Sequence, residues 1–101
     1  MIHVLARVTL KKNCVPLFLR TFRELATLVR KEPGCLDYYP AQDLDLHTPH
    51  QEYDPNTVTI IEKWAHEQDL ARHLRSGHMR SFHEQTKDLV LDLRLTITKE
   101  V

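Results

Sequence analysis

The segment Glu62-Lys63-Trp64 holds the first residues whose types and spacing suit chemistry. Side chains two positions apart in an extended strand lie on the same face, so Glu62 and Trp64 point the same way. If that face looks toward the helices, a carboxylate and an indole share one pocket. The indole would then offer a planar ligand a flat wall and an N–H donor. The alternative is a core tryptophan beside a solvated glutamate.

His73, His78 and His83 lie in the next predicted helices and are the second group of candidates. His78 should begin a helix after the break at Ser76-Gly77, beside the mouth of the pocket. A neutral imidazole there could act as a base, because its proton is labile near pH 7. His83 lies five residues past His78 rather than four, which argues against a metal site of helical spacing. We therefore predict no metal, and His73, like the others, could instead be a surface or satisfied residue.

Three further side chains are candidates for contact with a ligand. Arg7 lies on the less aliphatic face of the first strand, where it could stabilise an anion or simply meet solvent. Tyr38 could bring a hydroxyl to the pocket, or be a half-buried strand aromatic. Phe82 continues an inward helical stripe. Gly34 and Gly77 are the only glycines, so the chain has no glycine-rich phosphate loop.

Length and charge bound the class of protein. A chain of 101 residues suits one domain, 1–101. Fourteen basic side chains balance fourteen acidic ones, which argues against a nucleic-acid binder and leaves no polybasic patch for a membrane surface. We find no signal peptide and no apolar run near the roughly 20 residues of a bilayer span. Two cysteines are too few for a disulfide framework, so we expect a cytoplasmic protein with reduced thiols.

Hydrophobic periodicity predicts the element order β-α-β-β-α-β, with the second helical region broken in two. This order is typical of a ferredoxin-like α+β fold, with a four-stranded antiparallel sheet and helices on one face. The predicted ranges are strand 2–10, helix 14–32, strand 35–46, loop 47–56, strand 57–64, helices 66–75 and 78–90, and strand 91–98.

The predicted sheet has one face without helices. We expect the alternating leucines of the last strand, Leu91, Leu93 and Leu95, to lie on that bare face. An exposed apolar face calls for a partner. Two such sheets packed face to face would make a symmetric homodimer.

The string EKWAHEQDLARHLRSGHM, residues 62–79, resembles the antibiotic biosynthesis monooxygenase-like family, a group of dimeric α+β barrels that includes quinol monooxygenases. The segment EPGCLDYYP, residues 32–40, resembles the same family, as do the chain length and strand order. The matching family positions are Glu62, Trp64, Leu70, His73-Leu74 and His78.

The resemblance implies a pocket without cofactor, in which a quinol or another electron-rich aromatic is oxidised by molecular oxygen. Deprotonation would raise the electron density of the substrate, so that it reduces oxygen directly. By their matching positions, His78 is the candidate base, Trp64 the stacking wall and donor, and Glu62 an orienting partner. The expected substrate contacts are Arg7, Tyr38, His73, Phe82 and His83.

Other functions occur among similar folds, and three alternatives stay open. The protein could be a non-catalytic stress-response dimer that binds a small aromatic. It could isomerise a small ketone, for which Arg7 would suit an anionic substrate. Haem-degrading relatives use a first-strand Asn, a Trp and a helical His, which align with Arg7, Trp64 and His83. The arginine departs from that pattern and argues against haem degradation. The polar loop around residues 43–56 also departs from the family pattern, and could cover the pocket or reach across the dimer.

Overall fold

The chain folds into four strands and three helices in the computed structural model, which describes residues 1–101. The strands form one antiparallel sheet in the order β2-β3-β1-β4. This confirms the predicted ferredoxin-like α+β fold with helices on one face. The elements are β1 (Ile2–Leu10), α1 (Val15–Val29), β2 (Cys35–Gln42), β3 (Thr57–Trp64), α2 (Glu67–Leu74), α3 (Gly77–Thr86) and β4 (Val90–Lys99).

Helix α1 packs on the sheet through an apolar stripe that includes the fully buried Phe18 and Phe22. Pro16 lies in its first turn, where a missing N–H costs no helical hydrogen bond. The helix ends at Val29, three residues before the predicted end. Beyond it the chain tightens into a turn, in which the Glu32 N–H donates to the Val29 carbonyl at 2.9 Å.

The turn that follows α1 is held against α2. Gly34 has a φ of +81°, in the left-handed region that favours glycine. A Cβ atom at this position would overlap the side chain of Asp69 in α2. The Gly34 carbonyl accepts the Ala65 N–H at 2.9 Å. The close approach of the turn to α2 therefore sets where Glu32 lies.

Alternation along the two central strands decides which side chains face the helices. Val4 pairs with Glu62 and Ala6 with Ile60 in the β1–β3 ladder, and directly paired residues share a face. That face is buried, so Glu62 and Trp64 both lie between sheet and helices. The condition stated for Glu62 and Trp64, that their shared face looks toward the helices, is met.

The expected position of the β4 leucines is wrong. Leu93 pairs with Val8 and Leu95 with Ala6, so both leucines lie on the helix side of the sheet rather than on the opposite face. No helix covers this edge strand, and the two side chains remain 45% and 47% exposed. Period two in the sequence shows that the leucines share a face, but only the pairing register shows which face.

Strand β2 is shorter than predicted. It ends at Gln42, because Asp43 leaves the ladder to bind other groups. Its carboxylate accepts two hydrogen bonds from the Arg7 guanidinium, at 3.1 and 3.2 Å, and a third from the Asp54 N–H at 3.0 Å. These bonds hold the loop after β2 against the face of the sheet that the helices leave uncovered. The loop therefore does not cover the helix side of its own chain.

None of the three helices combines the length and the apolar character needed to cross a membrane.

Candidate active site

A cavity of about 350 Å³ lies between the sheet and helices α2 and α3 and reaches β4. Eleven of its sixteen lining residues are hydrophobic, so it suits an apolar or aromatic molecule. Phe18 of α1 adds to the aromatic wall, and the leucines of β4 line the open side. The predicted site residues that line the cavity are Tyr38, Glu62, His73, Phe82 and His83.

Glu62 is the buried carboxylate of this cavity, and it is only 6% exposed. The indole Nε1–H of Trp64 donates to Glu62 Oε1 at 3.0 Å and fixes its orientation. Burial raises the pKa of Glu62 to about 7, because the ionised form loses its hydration. The Trp64 hydrogen bond opposes this rise, and the nearby charge of Glu32 adds to it. Glu62 can therefore both accept and donate a proton near neutral pH.

His73 lies in the last turn of α2 and is 1% exposed. Its Nδ1 is 2.9 Å from Glu32 Oε2, and its Nε2 is 3.9 Å from Glu62 Oε1. Burial lowers the pKa of His73 more than the hydrogen bond and charge of Glu32 raise it. The ring is therefore neutral at pH 7. Because an ionised carboxylate only accepts, Nδ1 must carry the proton, and Nε2 keeps a free lone pair toward Glu62.

Tyr38 forms another part of the cavity wall. Its ring stacks on Phe22 at a centroid distance of 5.3 Å and meets the edge of His73 at 5.5 Å. Its hydroxyl points to the sulfur of Met79 at 3.9 Å. Burial raises the pKa of Tyr38 far above its usual range, so this residue stays a neutral phenol.

Three predicted site residues do not line the cavity. Trp64 is fully buried, and its ring centroid lies 4.7 Å from that of His73. Trp64 therefore orients Glu62 through its N–H and packs on His73, but offers a ligand no stacking wall. His78 lines a groove between α1 and α3 instead, and its Nε2 contacts Glu32 at 2.8 Å. Arg7 does not reach the cavity either, because strand alternation turns it to the opposite face, where it pairs with Asp43.

Glu32 belongs to the site, and sequence reasoning missed it. Glu32 is the first residue of the EPGCLDYYP segment that resembles the family, but the segment does not indicate which residues Glu32 contacts. Its Oε2 atom contacts both His73 Nδ1, at 2.9 Å, and His78 Nε2, at 2.8 Å. The potential donor atoms of these three residues all lie within 4.8 Å of one another, the spacing of a group that could hold a metal ion. We interpret the three side chains instead as a hydrogen-bonded group, in which Glu32 binds both histidines directly.

The fold is a small α+β domain. Its candidate site is a largely apolar cavity that holds one buried acid–base pair, Glu62 and His73. The matching family model is that of the antibiotic biosynthesis monooxygenases, over residues 1–85. The chain belongs to the antibiotic biosynthesis monooxygenase family. Membership supports a monooxygenase-type function.

Similar proteins agree with this assignment. A protein of Escherichia coli K12 named "Probable quinol monooxygenase YgiN" is 32% identical over 76 residues, which cover 75% of this chain and 73% of the relative. A conserved protein from Methanosarcina mazei has a TM-score of 0.85 at 26% identity, covering 99% and 92% of the two chains. A Pseudomonas aeruginosa protein has a TM-score of 0.80 at 24% identity, covering 99% and 93%, which speaks for the fold alone.

Proposed function

We propose that the protein is a cofactor-independent monooxygenase that oxidises a quinol or another electron-rich aromatic alcohol with molecular oxygen. The observation that carries the proposal is the pairing of the buried Glu62 and His73, 3.9 Å apart, in the wall of a largely apolar, aromatic-lined cavity. The family supports the reaction type, and the name of the E. coli relative supports a quinol.

The proposed reaction balances without an external reductant. A quinol and one O₂ give a hydroxyquinone and one water, since one oxygen atom enters the ring and the other leaves as water. The substrate supplies all four electrons. Removal of the hydroxyl proton makes the ring a stronger reductant, so the protein must provide a base and a site that excludes water.

His73 is the base in this proposal, in place of His78, because its free Nε2 faces the cavity side of Glu62. A substrate hydroxyl oxygen about 2.8 Å from both His73 Nε2 and Glu62 Oε1 would fit their 3.9 Å separation. The proton would go to Nε2. Glu62, when protonated, would donate to oxygen as negative charge develops. Trp64 keeps Glu62 in place through its N–H.

We also propose that the protein works as a homodimer. Edge strand β4 exposes four aliphatic side chains, and the loop after β2 exposes two more leucines, at 69% and 73%. The four side chains of β4 lie along one strand, and single chains seldom leave such a row of aliphatic side chains in water. Light scattering after gel filtration should give twice the chain mass of 11.9 kDa. A monomer at micromolar concentration would contradict the dimer.

The test of the activity is oxygen uptake by chelator-treated protein with 1,4-dihydroxynaphthalene, with superoxide and peroxide scavengers present. We expect uptake above the uncatalysed rate, with one atom of ¹⁸O₂ in the hydroxyquinone. His73→Gln and Glu62→Gln should each lower kcat by at least about a hundredfold, the usual contribution of a general base. His50→Ala is the matched control, because His50 is an exposed loop residue away from the cavity.

Each outcome bears on the proposal. Uptake that yields unlabelled quinone, with the labelled O₂ reduced to peroxide, would show an oxidase rather than a monooxygenase. Uptake that survives both substitutions would remove the acid–base pair from the reaction. Tight binding of the aromatic with no uptake would favour a binding protein.

A further inference from the structure

Glu32 joins the cavity to the outside of the protein through two histidines. One carboxylate oxygen, Oε2, contacts His73 Nδ1 at 2.9 Å and His78 Nε2 at 2.8 Å. The three residues come from the turn after α1, the end of α2 and the start of α3. Their side chains are 12%, 1% and 28% exposed, so the group runs from the buried wall of the cavity toward solvent.

The shared oxygen has two consequences. Because the carboxylate accepts at His73 Nδ1, it holds the ring in the tautomer that leaves Nε2 free. Because the same oxygen also serves His78, a proton on His78 weakens the field that Glu32 exerts on His73. The two imidazoles therefore compete for one negative charge, and both cannot be fully stabilised as cations.

Other ionisable groups also face His73. Their identities matter, because any of them could change the protonation of its ring. The groups are Glu32, Glu62, His78 and His83, together with Tyr38 and Cys35 beside the two carboxylates. Burial raises the pKa of Cys35 to about 11, so it stays a neutral thiol and does not add charge in the working range.

We propose that Glu32 is a positioning residue that makes His73 the base, and that His78 tunes this base from the surface by competing for the same carboxylate oxygen. This inference rests on the proposed function for its kinetic part only. His78 thus acts outside the cavity, through Glu32, and not on the substrate.

The first test needs no activity. Long-range ¹H–¹⁵N spectra distinguish the two neutral imidazole tautomers from imidazolium, and the seven histidines can be assigned from single variants. At pH 7 we expect His73 as the Nδ1–H tautomer in the wild type. Glu32→Ala should bring up the Nε2–H form. The matched control Glu52→Gln, an exposed residue in the loop after β2, should change nothing. A wild-type His73 protonated at Nε2 would overturn the proposal.

The second test uses the pH dependence of the competition. His78→Ala leaves Glu32 to His73 alone, so the pKa of His73 should rise by about 0.5 to 1. A base must be deprotonated to work, so the acid limb of kcat/KM should move to higher pH by the same amount. Glu32→Gln should move the limb the other way and lower kcat about ten- to a hundredfold.

The outcomes separate this proposal from the proposed function. If no substrate is oxidised but the tautomer and the pKa of His73 respond as described, the proposed function fails and the positioning network stands. If oxidation occurs but His78→Ala leaves both the His73 titration and the acid limb unmoved, the tuning role is overturned. A circular-dichroism spectrum matching the wild type keeps unfolding from imitating either result.

Discussion

The buried carboxylate at Glu62 should make a contribution to stability that is smaller at alkaline than at acid pH. Its folded-state pKa is about 7, against an ordinary value of 4.5. Between these values Glu62 binds more protons in the folded than in the unfolded chain, so its contribution to the free energy of unfolding falls as pH rises. The stabilisation by the protonated form is fully present below about pH 4.5 and is lost as pH passes 7.

The size of this effect follows from the difference of about 2.5 pH units, which corresponds to about 3 kcal/mol of destabilisation above pH 7. Glu62→Gln removes the charge but keeps a carbonyl that can accept the Trp64 N–H. We therefore expect the variant to be about 2 to 3 kcal/mol more stable than the wild type at pH 8. At pH 4.5 the wild-type carboxyl is itself neutral, and the difference should nearly vanish.

Urea unfolding at pH 4.5 and pH 8, at one fixed protein concentration, measures both values. The fluorescence of Trp64, the only tryptophan, and circular dichroism provide two probes. The exposed Glu24→Gln serves as the control. Equal stability differences at the two pH values would refute the reasoning, because they would show that Glu62 carries no buried charge. A stabilised but inactive variant would indicate that the carboxylate is retained for function.

Three further predictions test the surroundings of the site. Gly34→Ala should lower the free energy of unfolding by at least about 1 kcal/mol, because Gly34 has positive φ and its turn leaves no room for a Cβ atom beside Asp69. Urea unfolding measures this difference, and an unchanged midpoint would contradict the prediction. The Arg7 guanidinium lowers the pKa of Asp43, and the resulting stabilisation is present above the unfolded-state pKa of Asp43 and is lost as pH falls. Arg7→Ala should therefore lower the free energy of unfolding at pH 7 but change it little at pH 2. The variant should also open the adjoining loop to limited proteolysis. Cys35 should react with a disulfide reagent at pH 8 at least about tenfold more slowly than in urea-unfolded protein, since its pKa is about 11; equal rates would contradict its burial.

The two halves of the site show what kind of information the sequence carries. Glu62 and Trp64 are two positions apart in one strand, so the local period alone puts them on one face. Their burial then follows from the pairing of β3 with the apolar face of β1. The element order and the family resemblance of the same segment also come from local patterns. That Glu62 and Trp64 share a face could be predicted without coordinates, but the direction of that face required the strand pairing.

The assignment of the base required tertiary structure. His73 and His78 look equivalent along the chain, five residues apart on either side of a helix break. In the fold His73 lines the cavity, whereas His78 lines a groove between α1 and α3. Their common partner Glu32 lies 41 and 46 positions earlier, and no periodicity links residues at such separations.

Sequence by itself therefore determined the strands, the helices and the shared face of Glu62 and Trp64 on β3, because these depend on backbone period and on local apolar spacing. Only the tertiary structure decided that the β4 leucines share the helix side, that Arg7 binds Asp43 rather than a ligand, and that Glu32 serves two histidines. The physical reason is that strand register and the packing of a turn against a distant helix arise from long-range contacts, which one chain segment does not encode alone.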